Sequence, residues 1–98
     1  YTGRIFKMFN GPEATVELQF DRKLIDAVHD KFGEGVEIIA CKRNLCIVKV
    51  DVLVSPVFFS WCFQFGKSMK ILSPESVALE MKEHVRAVAR MYQNILIK

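Results

Sequence analysis

Few side chains in this sequence are of the kinds that attack, move a proton or hold a metal, and their spacing joins none of them into a working group. The two histidines, His29 and His84, are far apart, and each falls on the flank of an amphipathic helical pattern, the place of a boundary residue and not of a general base. Cys41, Cys46 and Cys62 sit in apolar stretches without paired zinc-ligand spacing or neighbouring histidines. They read as buried thiols in a reducing cytosol. A Cys41–Cys46 bridge is the alternative, because a hairpin centred on Arg43 and Asn44 would set the two opposite each other, although cytosolic disulfides are rare. Gly-rich phosphate loops, a Ser-His-Asp order, a zinc-binding His pair and a Cys-His nucleophile are all missing from the sequence. An acylphosphatase-type site would need an Arg in a phosphate-cradling loop and an Asn on a strand, and Arg43 and Asn44 together in one turn match it poorly. The expectation is a domain without catalysis, cofactor or metal.

Two groups of residues are suited to recognition instead. Lys82, Arg86 and Arg90 recur every fourth residue, so one helix face carries three cations in a row that can reach phosphates. Glu80 and Glu83 beside them dilute that field, and a solvated helix face is the plainer reading. The second group is apolar. In the helical pattern that follows Ser55, Phe58, Trp61, Cys62 and Phe65 span about 100° and suffice to bury one face, while Phe59 and Phe63 lie about 100 to 140° round from it. Those two rings require a second partner, either the last helix of this domain or a surface outside it: another subunit, an upstream domain or a small ligand. Leu79 and Ile95, off the main stripe of the last helix or close to the chain end, extend the same candidate interface, as does Ile97.

The elements that must position these residues follow from periodicity. Residues 14–20 alternate, with Val16, Leu18 and Phe20 on one face and Thr15, Glu17 and Gln19 on the other, as in a half-buried strand. Asp21 is a helix cap, and Leu24, Ile25, Val28 and Phe32 then share about 100° of a helix that Gly33 ends. The β-branched runs 36–42 and 45–54 predict a hairpin. In the second run Cys46, Val48, Val50, Val52 and Val54 form a core face, and Lys49 and Asp51 a wet one, so the helices belong on one side of the sheet. Ser55-Pro56 opens a helix, Gly66 suits a left-handed residue after it, residues 69–72 read as a strand, and Ser73-Pro74 repeats the start signal for a long last helix. Val77, Met81, Val85, Val88 and Tyr92 fall within about 80° of that helix and form its buried stripe.

The order strand, helix, strand, strand, helix, strand is what an α+β, ferredoxin-like split βαβ sandwich (βαββαβ) requires, with an additional C-terminal helix. Such folds include RNA-recognition domains, but the wet face offers Thr15, Gln19, Lys49 and Asp51 and no aromatic platform. The helix-Gly-strand-Ser-Pro-helix run, with Trp61 in its first helix, Tyr92 late in its second and an earlier Phe32-Gly33 helix end, resembles the C-terminal extension (WCX) domain of bacterial WYL-domain transcriptional regulators over residues 14–92. That resemblance implies a regulatory module that contributes to dimerisation and effector response. It also implies an upstream WYL barrel domain and an upstream winged helix-turn-helix through which the full-length protein, a homodimer, meets DNA.

Composition fits one packed domain. Its 98 residues support a single core, and with 51% hydrophobic and 26% charged residues the chain is too apolar for disorder. No apolar run reaches the roughly 18 residues a membrane span needs, so no membrane partner is expected and the location is cytoplasmic. A net charge of +3, scattered along the chain, is weak support for binding nucleic acid through this part alone. Residues 1–13, basic and apolar and broken at Asn10-Gly11-Pro12, read as a connector from an upstream domain, and residues 14–98 as the regulatory domain. A small ligand or a nucleic acid is the expected effector. The rival is a free-standing, ACT-like small-molecule-sensing domain of similar fold.

Overall fold

Strict alternation makes β1 (Glu13–Asp21) the spine of the molecule, with Val16, Leu18 and Phe20 fully buried in a computed structural model that describes residues 11–33 and 36–93. Along its whole length it pairs antiparallel with β3 (Leu45–Leu53), from Glu13 opposite Leu53 to Asp21 opposite Leu45. Its other edge pairs antiparallel with β4 (Met69–Ser73), with a register shift between Glu17 and Leu18. β2 (Glu37–Lys42) closes the far side by pairing antiparallel with β3. The order across this sheet is β2-β3-β1-β4, so β3 lies between β1 and β2, and β1 lies between β3 and β4.

The helices α1 (Ile25–Phe32), α2 (Pro56–Phe63) and α3 (Glu75–Met91) supply Val28, Phe58, Cys62 and Val77 to the same core as Cys46, Val48, Val50 and Val52 of β3. All therefore stand on one side of the sheet, as the alternation predicts. The opposite side is mixed: Thr15, Lys49 and Asp51 are exposed there beside Leu45, Ile47 and Leu53, and the Thr15 hydroxyl donates to the Asp51 carboxylate across the β1–β3 pair.

Chain punctuation explains the element ends. The Asp21 carboxylate accepts from the Lys23 amide at 3.1 Å. The turn it caps is a 3-10 turn, Arg22–Leu24, so α1 starts three residues later than the capping signal alone implies. Gly33, at φ 72°, ends α1 in the left-handed region that a residue without Cβ adopts freely. Gly66 is also left-handed, but it opens a 3-10 turn (Gly66–Ser68) three residues past α2 and does not close the helix itself. The Ser73-Pro74 signal works differently from Ser55-Pro56: Ser73 finishes β4, and Pro74, after a cis peptide bond, is itself the N-cap of α3. The Pro74 carbonyl accepts from Val77 and Ala78.

One sequence expectation fails in this frame. Cys41 and Cys46 are not both buried thiols, because a disulfide joins them. The Arg43-Asn44 turn, with Arg43 at φ 58°, makes Cys41 and Cys46 direct cross-strand partners, and Cys41 lies at the surface. Register decided the pairing, whereas the thiol expectation rested on cellular compartment. The hairpin expected of the runs 36–42 and 45–54 is present, with β2 as its exposed edge strand and Ile38 and Ile39 facing solvent.

Candidate functional site

Both groups of recognition residues lie on α2 and α3, and local chemistry fixes how these helices are set. Ser55 is buried, its hydroxyl accepts from the Phe58 amide at 3.3 Å, and Pro56 follows in the first helical turn, where a missing amide hydrogen costs nothing. The helix that starts there is apolar on every face, so burying one side leaves apolar rings on the others. Phe58 and Cys62 face the sheet and are buried. Burial pushes the Cys62 thiol up to about 12, the Lys31 charge opposing it, so at neutral pH this sulfur stays protonated and is a core atom, not a nucleophile.

Trp61, expected on the buried face with Phe58, Cys62 and Phe65, is set differently. It is half-buried between Phe32 of α1 and Phe65 beyond the end of α2, both edge-to-face at 5.1 Å between centroids. Lys31 Nζ lies 6.0 Å from its ring centre. Partial burial lowers the Lys31 ammonium below its ordinary value. Sheet contact falls to Phe58 and Cys62 because a helical residue one step round from them points along the sheet, here toward α1.

The four residues of the candidate apolar interface part company. Phe59 is only 5% exposed, and its ring lies 5.7 Å from that of His84 on α3. Its second partner is thus the last helix, and it belongs to no exposed patch. Phe63 is 55% exposed, beside a groove of about 360 Å³ lined by Ser60, Gln64, His84, Val85 and Val88. Leu79 is exposed on the other side of α3, over a separate groove by the start of α2. Ile95 lies outside the described residues, as does Ile97.

The stripe on α3 is buried only in part. Val77 is in the core and Met81 and Val85 are half-buried, but Val88 is exposed, Met91 is 76% exposed and Tyr92 is exposed beyond the helix end. Together with Phe63 they make an apolar surface that nothing among the described residues covers. On the opposite face Lys82, Arg86 and Arg90 are all exposed. Arg86 approaches Glu83 at 3.8 Å, a solvent-bathed pair of small energetic weight. Among the described residues no group of three His, Cys, Asp or Glu side chains is placed to hold a metal ion, and no helix is long and apolar enough to cross a membrane.

The profile described as WCX domain matches residues 12–89. The chain belongs to the WCX domain family. No curated protein matches it. The match covers the whole sheet and α1, α2 and nearly all of α3, including both helices that carry the exposed apolar surface of this WCX domain. Sequence reasoning placed Val88 and Tyr92 in the buried stripe and did not single out Met91. A signal was present in the lengths: α3 runs 17 residues, about 26 Å at 1.5 Å per residue, whereas β4 beneath it runs five, about 16 Å. An amphipathic stripe longer than the strand it packs on overhangs that strand.

Proposed function

We propose that this WCX domain is the C-terminal regulatory and dimerisation domain of a WYL-type helix-turn-helix transcriptional regulator in the bacterial cytoplasm. It is non-catalytic, DNA is bound by an upstream domain, and an upstream WYL domain in the same chain shares the sensing of a ligand or nucleic acid. The WCX family is tied to WYL regulators, which supports the setting. The observation that carries the role is the uncovered apolar surface of Phe63, Val88, Met91 and Tyr92 at the overhanging end of α3. A large side chain exposed next to others of its kind favours contact with a second surface, and a homodimer supplies one. The groove beside Phe63 gives a small effector a place at that contact. The fold reading that goes with this role is the ferredoxin-like split βαβ with an added helix, supported by a strand order in which each βαβ unit has another strand between its two members. One observation stands against a cytoplasmic setting: the Cys41–Cys46 disulfide is of a kind uncommon in reducing compartments.

The test uses the full-length regulator. Phe63→Ser combined with Met91→Ser should shift the sedimentation mass from dimer toward monomer, with the urea midpoint of this domain held. Unchanged mass would sink the dimerisation role.

A further inference from the structure

We infer that Cys41 is a site of reversible thiol–disulfide exchange, with Cys46 as the partner that resolves it, so that the end of the β2–β3 hairpin locks and releases with redox state. The two sulfurs of this bond are placed unequally. Cys46 is fully buried on β3, whereas Cys41 is exposed on β2. A thiolate from solvent therefore has one sulfur to attack. The site lies at the β2 edge of the sheet, across β3 and β1 from the β4 edge on which α3 packs, and so stands apart from the dimerisation role.

The bond adds little to the fold. Its two cysteines are five residues apart, and the gain from closing a loop falls as the loop shortens. β3 is fixed without it, being paired with β1 along its whole length, with Cys46 opposite the buried Phe20. β2, by contrast, is an edge strand exposed at every residue, with a register shift between Ile38 and Ala40. In the turn between the cysteines Arg43 has φ 58°, left-handed backbone that glycine adopts freely and arginine does not. The closed bond holds that turn; once it opens, residues 40–45 loosen while β3 and the core stay. Lys42, Arg43, Asn44 and Leu45 also line much of a groove of about 590 Å³, whose shape changes with them.

Reduction runs in two exchanges. The thiolate of a small thiol of the glutathione class attacks Cys41 Sγ, the Cys41–Cys46 bond breaks, and Cys46 leaves as a thiolate that takes up a proton. A second thiolate attacks the small molecule's sulfur in the mixed disulfide and releases Cys41, which is protonated in turn. Two small thiols thus become one disulfide, and the protein gains two electrons and two protons. Oxidation by that disulfide reverses both steps, Cys46 attacking Cys41 Sγ from its cross-strand position. Lys42 and Arg43, exposed beside Cys41, suit an anionic thiol. In a reducing cytosol the open pair is the resting form, and a transient, redox-sensing bond is the kind that compartment admits.

The experiment treats the full-length chain with excess reduced glutathione and then with glutathione disulfide, blocks free thiols with N-ethylmaleimide, and maps the Cys41 and Cys46 peptides by mass spectrometry. The native pair should open with the first reagent and close with the second. Hydrogen exchange at amides 40–45 should quicken about ten-fold or more on reduction, with β1 and the rest of β3 unchanged. In Cys46→Ser the glutathione adduct should form on Cys41, and in Cys41→Ser the buried Cys46 should react at least about ten-fold more slowly. A pair that glutathione opens only in urea would overturn the proposal. So would exchange that rises equally through β1 and β3, which would make the bond a staple of the fold, or exchange unchanged at 40–45. These readings need only the parent chain, so they decide the matter even where a cysteine variant fails to fold.

Discussion

The two halves of α3 carry the same sequence pattern and have different fates. In the first half Val77 joins the core and Met81 packs on it, over β4 and the buried side of α2. In the second half Val88 and Met91 continue the apolar stripe and are exposed. Periodicity sets which way side chains point round a helix; whether anything meets them depends on the length of the neighbouring elements. The same contrast recurs on α2, where Phe58 is fully buried and Phe63, five residues on, is mostly exposed. An apolar residue thus has two settings here, the core in the anchored half and the surface in the overhanging half, and substitutions separate them.

The largest effect belongs to the anchored half. Phe58→Ala removes a ring with no solvent exposure from the meeting point of α2 and the sheet, and the residual cavity should make the loss about 3 to 5 kcal/mol in urea denaturation. That is a large share of a small domain's stability. Phe63→Ala should cost about 0.5 kcal/mol or less in the same assay. Equal costs would erase the distinction between the two halves.

Trp61 lies between these extremes. Its two edge-to-face partners add to a burial that is only partial, so Trp61→Ala should cost about 2 to 3 kcal/mol, below the Phe58 value. Because Phe32 is one of those partners, Trp61→Ala combined with Phe32→Ala should cost less than the sum of the two single changes. Additive losses would mean that α1 and α2 are held together elsewhere.

Most of the fold was legible because its signals are local and redundant. Val16, Leu18 and Phe20 alternate on β1, Cys46 to Val52 alternate on β3, and the Ser55-Pro56 pair starts α2 where the structure starts it. What escaped depends on distance between elements. Nothing within the 37–42 run says that no helix covers it, so the exposure of Ile38 and Ile39 was hidden. The partner of Phe59 could be narrowed to two candidates but not chosen, since the choice requires knowing that α3 crosses α2 at His84. The disulfide was legible as geometry, through the two-residue turn between Cys41 and Cys46, and was set aside only on an argument about compartment. For Lys82, Arg86 and Arg90 the helical spacing already gave a shared exposed face; their use is a matter of charge.

That charged face provides the smallest expected effect and the sharpest control on the apolar one. Lys82, Arg86 and Arg90 run along both halves of α3, exposed throughout, with Glu83 3.8 Å from Arg86. If the two halves differ only in what covers their apolar side, the cationic side should be indifferent to the division. Arg86→Ala with Arg90→Ala should then change the urea midpoint by no more than about 0.5 kcal/mol of stability, the ion pair being solvated and screened. The same double variant should leave duplex DNA binding by this chain weak, as in the parent, since specific binders commonly engage six to ten phosphates and a net charge of +3 spread over the surface falls short of that. A salt titration decides the point. Submicromolar binding at about 150 mM salt that disappears in the double variant would make the cationic face of α3 a nucleic-acid surface, and the overhanging half would then have been read from its wrong side.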